Sequence, residues 1–514
     1  MENKVEQQKE IKRDSLKKSS IFNITIKLLT YLIPLILSPY VYRVLTFSGV
    51  GSFTYQNAYV NYFTLVAAFG FADYGTKRIS TATKNPDELN RRFWSVFFSK
   101  QFLGVGCLLV YFIMVFCHVF GDSSNDIAYV IFALNILSTM LDISFFYQGI
   151  ENFKAIAIRS AIVKVINLIL IFCLVKSPDD YLTYVGIMCG CAVLSSLIMF
   201  LPLRKYIKKP TFNIKMMGMD VKNATLFFIS ALAISLYTTM DSTILGLMKG
   251  DSVVGYFSSA SKIKDVVTSI NYAIIPVIFS RMSFLISQGK DEEAKNLIYK
   301  TFNVIMDITL PCMLGIICVS DVFMPLYFGS DGSNAVLMMD ILALSLPFIA
   351  FSSIINYSYI VPKGKMKLSN AIYLCAGILN IIVVYLLVKF IGNDGIAYAV
   401  LFTEAFVAIV FIYYSHLYID FKKVMKTMIK PLDASLIMAV VYLLGNKVLT
   451  KFISANKAMV LMIVVSVIVY SLFLYLFKDE FAYPLANKYL AKIKSKFISI
   501  KAKIMKKEEK NKDI

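Results

Sequence analysis

An all-α polytopic membrane protein is predicted from three observations. The 514-residue chain is 58% hydrophobic and only 17% charged, against about 45–50% apolar and about 25% charged in soluble domains. Apolar stretches of about 20 residues, the length that carries a helix across a bilayer, recur along its whole length. Lysine and arginine gather in the short segments between those stretches and in the two tails. A formal charge of +20 distributed in this way fits attraction to anionic phospholipids at the cytoplasmic leaflet and argues against nucleic acid as a partner.

Taken in order, the first 19 residues are basic and lack the apolar core and small-residue cleavage site of a signal peptide, so they are expected to stay as a cytoplasmic arm. Apolar spans follow at about 20–42, 50–71, 93–117, 127–148, 156–175 and 181–203. These form a first lobe over 20–203, closed by a basic cytoplasmic connector at 204–220. A second lobe over 221–416 holds spans at about 222–248, 254–280, 301–324, 335–361, 368–390 and 395–416. After a cytoplasmic connector at 417–429, two final spans fill 430–477, giving about fourteen helices in all. The tail, 478–514, places Tyr489, Ile493, Phe497, Ile500 and Ile504 at helical spacing among lysines. That pattern fits a basic amphipathic helix on the inner leaflet, with disorder as the alternative for the last residues.

Val254-Gly255-Tyr256-Phe257 echoes Val50-Gly51-Ser52-Phe53, each at the start of the second span of a six-span block. The copies run in the same direction, so the two lobes are expected to be parallel repeats related by an axis along the membrane normal. The positive-inside bias puts both termini in the cytoplasm of a multi-pass protein of the cytoplasmic membrane. The eight cysteines lie in or beside apolar segments without metal-ligand spacing, and read as packing thiols.

The stretch from Ser48 to Ser80 is the most informative. Tyr55, Gln56, Asn57 and Asn61 stud its apolar span, and side chains of this kind must face other helices or a wet cavity. Its order Val50-Gly51-x-Phe53, Tyr62-Phe63 and Phe69-Gly70-x-x-x-Tyr74-Gly75-x-Lys77 resembles one family, as do Asp142 to Lys154 (DISFFYQGIENFK) and the pair Tyr237 to Asp241 (YTTMD) and Val254 to Lys262 (VGYFSSASK). The three stretches are similar to the polysaccharide (O-unit type) flippases of the multidrug/oligosaccharidyl-lipid/polysaccharide exporter superfamily. The resemblance covers the first twelve spans and is weakest over spans 9 to 11. It implies a flippase that moves polyprenyl-pyrophosphate-linked oligosaccharide, of the undecaprenyl type, across the membrane by alternating access for capsule, O-antigen or exopolysaccharide. A polysaccharide polymerase and other assembly proteins would be its partners. It also implies an Asp and a Lys at the positions of Asp241 and Lys262.

Ionisable groups inside spans cost several kcal/mol unless paired or hydrated, so they mark the candidate site. Lys262 is expected to face a central cavity and bind an anionic group, with a helix-pinning pair to a carboxylate as the alternative. Asp265 lies three residues on, on the same helix face. Lys27 on the first span is the second candidate cation, with snorkelling to the interface as its alternative. Tyr55, Gln56, Asn57 and Asn61 are candidates for sugar hydroxyls. Asp142 and Lys164 sit at similar depth and suggest a pair that pins two helices, with a ligand site as the alternative, while Lys100 suggests a snorkelling side chain. Asp241, Asp265, Asp307 and Glu404 are candidates for structural or coupling-ion roles. Glu404 lies near mid-membrane with no lysine or arginine within a turn. No metal site and no cofactor are expected, beyond proton or sodium coupling.

Enzyme signatures are thin: His118 and His416 fall at opposite faces, and no Walker A, HExxH or GxSxG motif occurs. Three rivals remain open beside the polysaccharide flippase: a lipid II flippase with another head group, a multidrug/cation antiporter of the same superfamily, and an integral-membrane polymerase or acyltransferase. The antiporter would favour acidic cavity residues, and the polymerase would need a large outer loop. Reporter fusions after residues 210 and 425 are expected to report cytoplasm, and fusions after 122 and 332 the exterior. An exterior signal at 210 would contradict the orientation.

Overall fold

The computed structural model describes residues 33–83, 85–120, 126–480, 483–484 and 487. Lys27 and the expected amphipathic tail beyond 487 lie outside the described residues. Everything ordered into regular structure within them is helical.

The first helix, α1, is described over 33–44. It is followed by α2 (Thr46–Ala68), α3 (Phe71–Ser80), α4 (Pro86–Phe116), α5 (Asp126–Leu141), α6 (Ser144–Gly149), α7 (Phe153–Leu174), α8 (Tyr181–Ile198) and the short α9 (Phe200–Leu203). Then come α10 (Ile214–Lys249), α11 (Asp251–Ser287), α12 (Asp291–Phe328), α13 (Val336–Ile355), α14 (Met366–Ile391), α15 (Gly395–Ser415), α16 (Phe421–Leu449) and α17 (Ala455–Leu476). Among the described residues, 11 helical stretches are long and apolar enough to cross a membrane. The helices α2 and α10, of 23 and 36 residues, occupy the expected second and seventh spans. The chain is thus an all-α multi-pass membrane protein, laid out in the order its apolar stretches predict.

Several helices outrun those stretches. The expected ninth span, about 301–324, is the apolar part of α12, which runs 38 residues. Its first turn carries Asp291, Glu292 and Glu293, which complement the positive end of the helix dipole. Lys290 and Lys295 add ion pairs to Glu293 and Glu292 at 2.8 and 3.1 Å. Hydropathy sees only the part of a helix that meets lipid, so this polar continuation is invisible to it. Likewise α10 begins at Ile214, inside the basic connector, where the Asn213 side chain accepts from the Met216 amide at 3.1 Å.

The second span ends earlier than its apolar run. Phe69 and Gly70 both take left-handed backbone conformations, and the chain restarts as α3, whose apolar side is buried and whose last turn carries Lys77 and Arg78. The fourth span is broken as well. At Asp142 the helix stops, and the Asp142 carboxylate caps α6 by accepting from the Ser144 amide at 3.3 Å.

The chain divides into two compact units. One comprises residues 1–269, 327–338 and 370–403; the other comprises 270–326, 339–369 and 404–514. In the first unit, α5 packs on α8, and α2 lies against α4, α5 and α10. One apolar core there gathers Phe71, Phe93, Phe145 and Phe146, and another Tyr111, Tyr129, Phe132 and Ile136. In the second unit, α16 and α17 pair, with Ala434, Met438, Tyr470 and Leu474 forming a core.

The two sequence echoes meet within the first unit. A Cβ on Gly51 would fall 1.7 Å from the Asp251 carbonyl oxygen, and a Cβ on Gly255 would fall 2.1 Å from the Phe47 carbonyl oxygen. Each glycine therefore lets the backbone of the other helix into contact, in a reciprocal crossing of α2 and α11. We expect Gly51→Ala to destabilise the protein by at least about 1–3 kcal/mol, since the clash is with backbone and not with a movable side chain. Gly186 on α8 has open space around it, and Gly186→Ala should be neutral or stabilising by up to about 1 kcal/mol. Thermal unfolding of the two variants in detergent checks the contrast. Equal midpoints would contradict the close crossing.

Candidate functional site

A cavity of about 390 Å³ lies in the first unit, walled by α1, α2, α7, α8 and α11. Most of its wall is aliphatic or aromatic, from residues such as Leu37, Val41, Phe53 and Met188. Into this wall project Lys164 from α7 and Lys262 from α11, with Ser38, Thr54, Ser160 and Asn167 as neutral polar groups. The apolar runs of α1, α2 and α8 make the wall, and one lysine from α7 and one from α11 make it electropositive.

Lys262 is positioned by aromatic packing. Its ammonium group lies 4.6 Å from the centroid of the Tyr42 ring, a cation–π arrangement. Tyr42 is itself buried, and its hydroxyl donates to the Gly255 carbonyl at 3.3 Å. The glycine crossing thus holds the tyrosine that holds the lysine. Asp265 does not pair with Lys262: its half-exposed carboxylate lies 3.7 Å from Lys264. Among the described residues, neither Lys164 nor Lys262 forms an ion pair.

The expected pairing of Asp142 with Lys164 is not what forms. Arg159, one helical turn earlier on α7, takes Asp142 at 3.2 Å and also donates to the Ser144 hydroxyl at 3.1 Å. A guanidinium bridges the carboxylate and the hydroxyl at the break between α5 and α6 better than a lysine can, and this frees Lys164 for the cavity. Lys100 does not snorkel. It is buried, and its ammonium donates to the Asp142 carbonyl at 2.7 Å.

The candidate sugar-binding residues of α2 disperse. Gln56 is buried and accepts from the Tyr181 hydroxyl at 2.7 Å. Asn57 accepts from the Asn135 amide at 3.2 Å. Tyr55 shares a hydrogen bond of 3.0 Å with Tyr59, its ring filling the space beside Gly246. Asn61 is half-buried, and its main-chain carbonyl accepts from the Thr64 hydroxyl at 2.9 Å. None of the four is among the cavity-lining residues. Thr54, on the neighbouring position of the same helix, is the one that reaches the cavity; only its helical register relative to Val50 and Phe53 signals this in the sequence.

The carboxylates resolve into separate settings. Asp241 is buried and accepts from Asn380 at 2.6 Å, and Asn380 in turn accepts from the Thr403 hydroxyl at 2.9 Å. Glu404 is half-buried and engaged with a neighbour, so it is not the isolated carboxylate its sequence surroundings suggest. Asp307 lies in the second unit, bonded to Asn303 at 3.3 Å. Asp220, unremarked in the sequence, is fully buried where the Tyr74 and Ser95 hydroxyls each donate at 2.5 Å and Arg78 lies at 3.4 Å. It ties α3, α4 and α10 together. Among the described residues no cluster of His, Cys, Asp and Glu is arranged to hold a metal.

Comparisons with known proteins agree with one another. A family model described as polysaccharide biosynthesis protein matches residues 16–284. A putative O-antigen transporter of Shigella dysenteriae is 26% identical over 383 residues, covering 74% of this chain and 94% of the relative. Another, from Escherichia coli (strain K12), is 25% identical and covers 76% of this chain and 95% of the relative. Among solved structures, the lipid II flippase MurJ aligns with a TM-score of 0.73 at 17% identity, over 90% of this chain and 99% of that one. An inward-facing multidrug resistance MATE transporter of the MOP superfamily gives 0.55 at 13% identity, over 80% and 96%. At these identities the two structures speak for the fold.

If Lys164 and Lys262 serve a ligand and not the fold, removing their charge should not weaken the protein. Lys164→Met and Lys262→Met are expected to unfold at or above the wild-type temperature, because each removes an unpaired charge from an apolar wall. Arg159→Met, which strands the partly exposed Asp142, should cost about 1–2 kcal/mol. Thermal unfolding checks this ranking, and a large loss for either lysine variant would make that lysine structural.

Proposed function

From the premise that this chain belongs to the polysaccharide biosynthesis protein family, we propose that it is a flippase for lipid-linked oligosaccharide. The observation that carries this reading is the pair of lysines without carboxylate partners in one largely apolar cavity. An ammonium held there is costly unless an anion arrives to share the cost. A pyrophosphate offers several acceptor oxygens and more than one negative charge, which suits two separated lysines. The hydroxyl and amide groups of Ser38, Thr54, Ser160 and Asn167 match the sugar or phosphate oxygens beyond them.

The relatives support the substrate class, since they are named as O-antigen transporters. On this reading the lipid is of the polyprenyl-pyrophosphate, undecaprenyl type and its prenyl tail stays in the bilayer. The chain sits in the cytoplasmic membrane with both termini inside, moves its cargo outward by alternating access between two six-helix lobes, and performs no covalent chemistry. Anionic phospholipids and the polymerase that consumes the product are its partners. Proton or sodium coupling would fall to Asp241, Asp307 or Glu404. A lipid II substrate is the second reading, favoured by the MurJ-like fold alone.

Lys262→Ala should abolish polysaccharide export at normal membrane abundance, Lys262→Arg should retain part of it, and Lys164→Ala should lower it. Export is followed by surface polysaccharide in a strain lacking the chromosomal copy. Full export from the Lys262→Ala variant would remove this lysine from the site.

A further inference from the structure

Far along the chain from the cavity residues, three side chains of the second unit converge with oxygens to spare. Asn303 and Asp307 stand one turn apart on α12, and Asp479 lies just beyond α17. Their exposures are 2%, 8% and 2%. The Asn303 amide nitrogen donates to Asp307 at 3.3 Å and to Asp479 at 3.0 Å, so one amide stands between two carboxylates. The remaining oxygens of the helical pair, Asn303 Oδ1 and Asp307 Oδ2, are enclosed and accept no hydrogen bond among the described residues.

Two orphaned acceptors beside a carboxylate are an unusual expense, since each buried unsatisfied acceptor costs about 1–3 kcal/mol. Two neighbouring donors among the described residues are committed elsewhere. The Tyr470 hydroxyl donates to the Asp307 main-chain oxygen at 2.8 Å. Lys430, on α16, donates to the carbonyl of Lys478, the residue before Asp479, at 3.0 Å. The Asp307 and Asp479 carboxyl groups are also within hydrogen-bonding reach of each other, Asp479 has an interaction beyond these, and Asp307 forms no ion pair among the described residues. Two adjoining carboxylates with an amide oxygen next to them call for a positive charge that takes oxygen ligands.

We propose that Asn303, Asp307 and Asp479 form a sodium site. The ion would take Asn303 Oδ1, Asp307 Oδ2 and the Asp479 carboxylate as protein ligands, with water completing its shell. A hard cation prefers such a set of carboxylate, carbonyl and water oxygens. A proton shared between Asp307 and Asp479 would still leave Asn303 Oδ1 unmet, whereas sodium answers both orphans. Because the site joins α12 to the segment following α17, filling it also ties the last span to the rest of its unit.

The test uses the full chain in detergent and a hydrophobic carbodiimide, which modifies a buried carboxyl group only while that group carries a proton. Modification of Asp307 is mapped by mass spectrometry at fixed pH, in sodium chloride or in choline chloride of equal ionic strength. At about ten times the dissociation constant, sodium should slow the modification roughly tenfold by mass action, and choline should not. In the Asn303→Ala variant the Asp307 label should still form, but sodium protection should be lost or need much higher concentrations. Labelling that follows pH and ignores sodium would overturn the proposal in favour of a proton alone. Undiminished protection in the Asn303→Ala variant would overturn the three-residue site. Should that variant fail to fold, the wild-type measurement decides alone.

Discussion

A charge inside an apolar span costs several kcal/mol unless something answers it, and that constraint organises this structure. Arg159 answers Asp142, Lys100 is satisfied by the carbonyl of the same residue, and Asp220 is surrounded by two hydroxyls and Arg78. Asp241 is met by Asn380, which is met by Thr403. These answered charges mark helix junctions: the break between α5 and α6, the seat of α3, and the contact of α10 with α14. Two cations that form no ion pair among the described residues, Lys164 and Lys262, share a single cavity. What the protein leaves unsatisfied is where its ligand chemistry is to be sought.

The glycine crossing supplies the geometry for one of the two lysines. Close contact of α2 and α11 at Gly51 and Gly255 brings the backbones together and places the Gly255 carbonyl where Tyr42 can donate to it. The Tyr42 ring then faces the Lys262 ammonium. Ser52 reinforces the crossing by donating to the Asp251 carboxylate. Side-chain volume at either glycine would therefore act on the cavity through a chain of contacts, without touching it directly.

Much of this was legible in the sequence because bilayer physics leaves few choices. Span order follows from apolar length, and the cost of burying a charge singles out Lys262, which lines the cavity. The echo of Val50-Gly51-x-Phe53 at Val254-Gly255-x-Phe257 was visible as a repeat, but nothing in one dimension shows that its two copies touch. Asp142 and Lys164 misled because depth along a helix does not give azimuth; Arg159, one turn away, competes for the same carboxylate and has the better geometry. The amides of α2 read as ligand groups, yet a polar side chain in an apolar helix more often finds a partner on the next helix, as Gln56 finds Tyr181. Asp220 was hidden because it lies where a hydropathy profile sees only a connector, and α10 runs straight through it.

The central claim is that the two cavity lysines hold the charged head of a lipid-linked sugar. The most direct measurement is binding of polyprenyl-pyrophosphate oligosaccharide to purified protein in nanodiscs, with and without Lys164→Gln and Lys262→Gln together. The account predicts loss of at least about tenfold in affinity for the double variant, equivalent to about 1.4 kcal/mol, at unchanged thermal stability. It also predicts a wild-type affinity that falls as the pyrophosphate is replaced by a neutral head group. Equal affinity in the two proteins, or wild-type binding indifferent to the pyrophosphate, would contradict it.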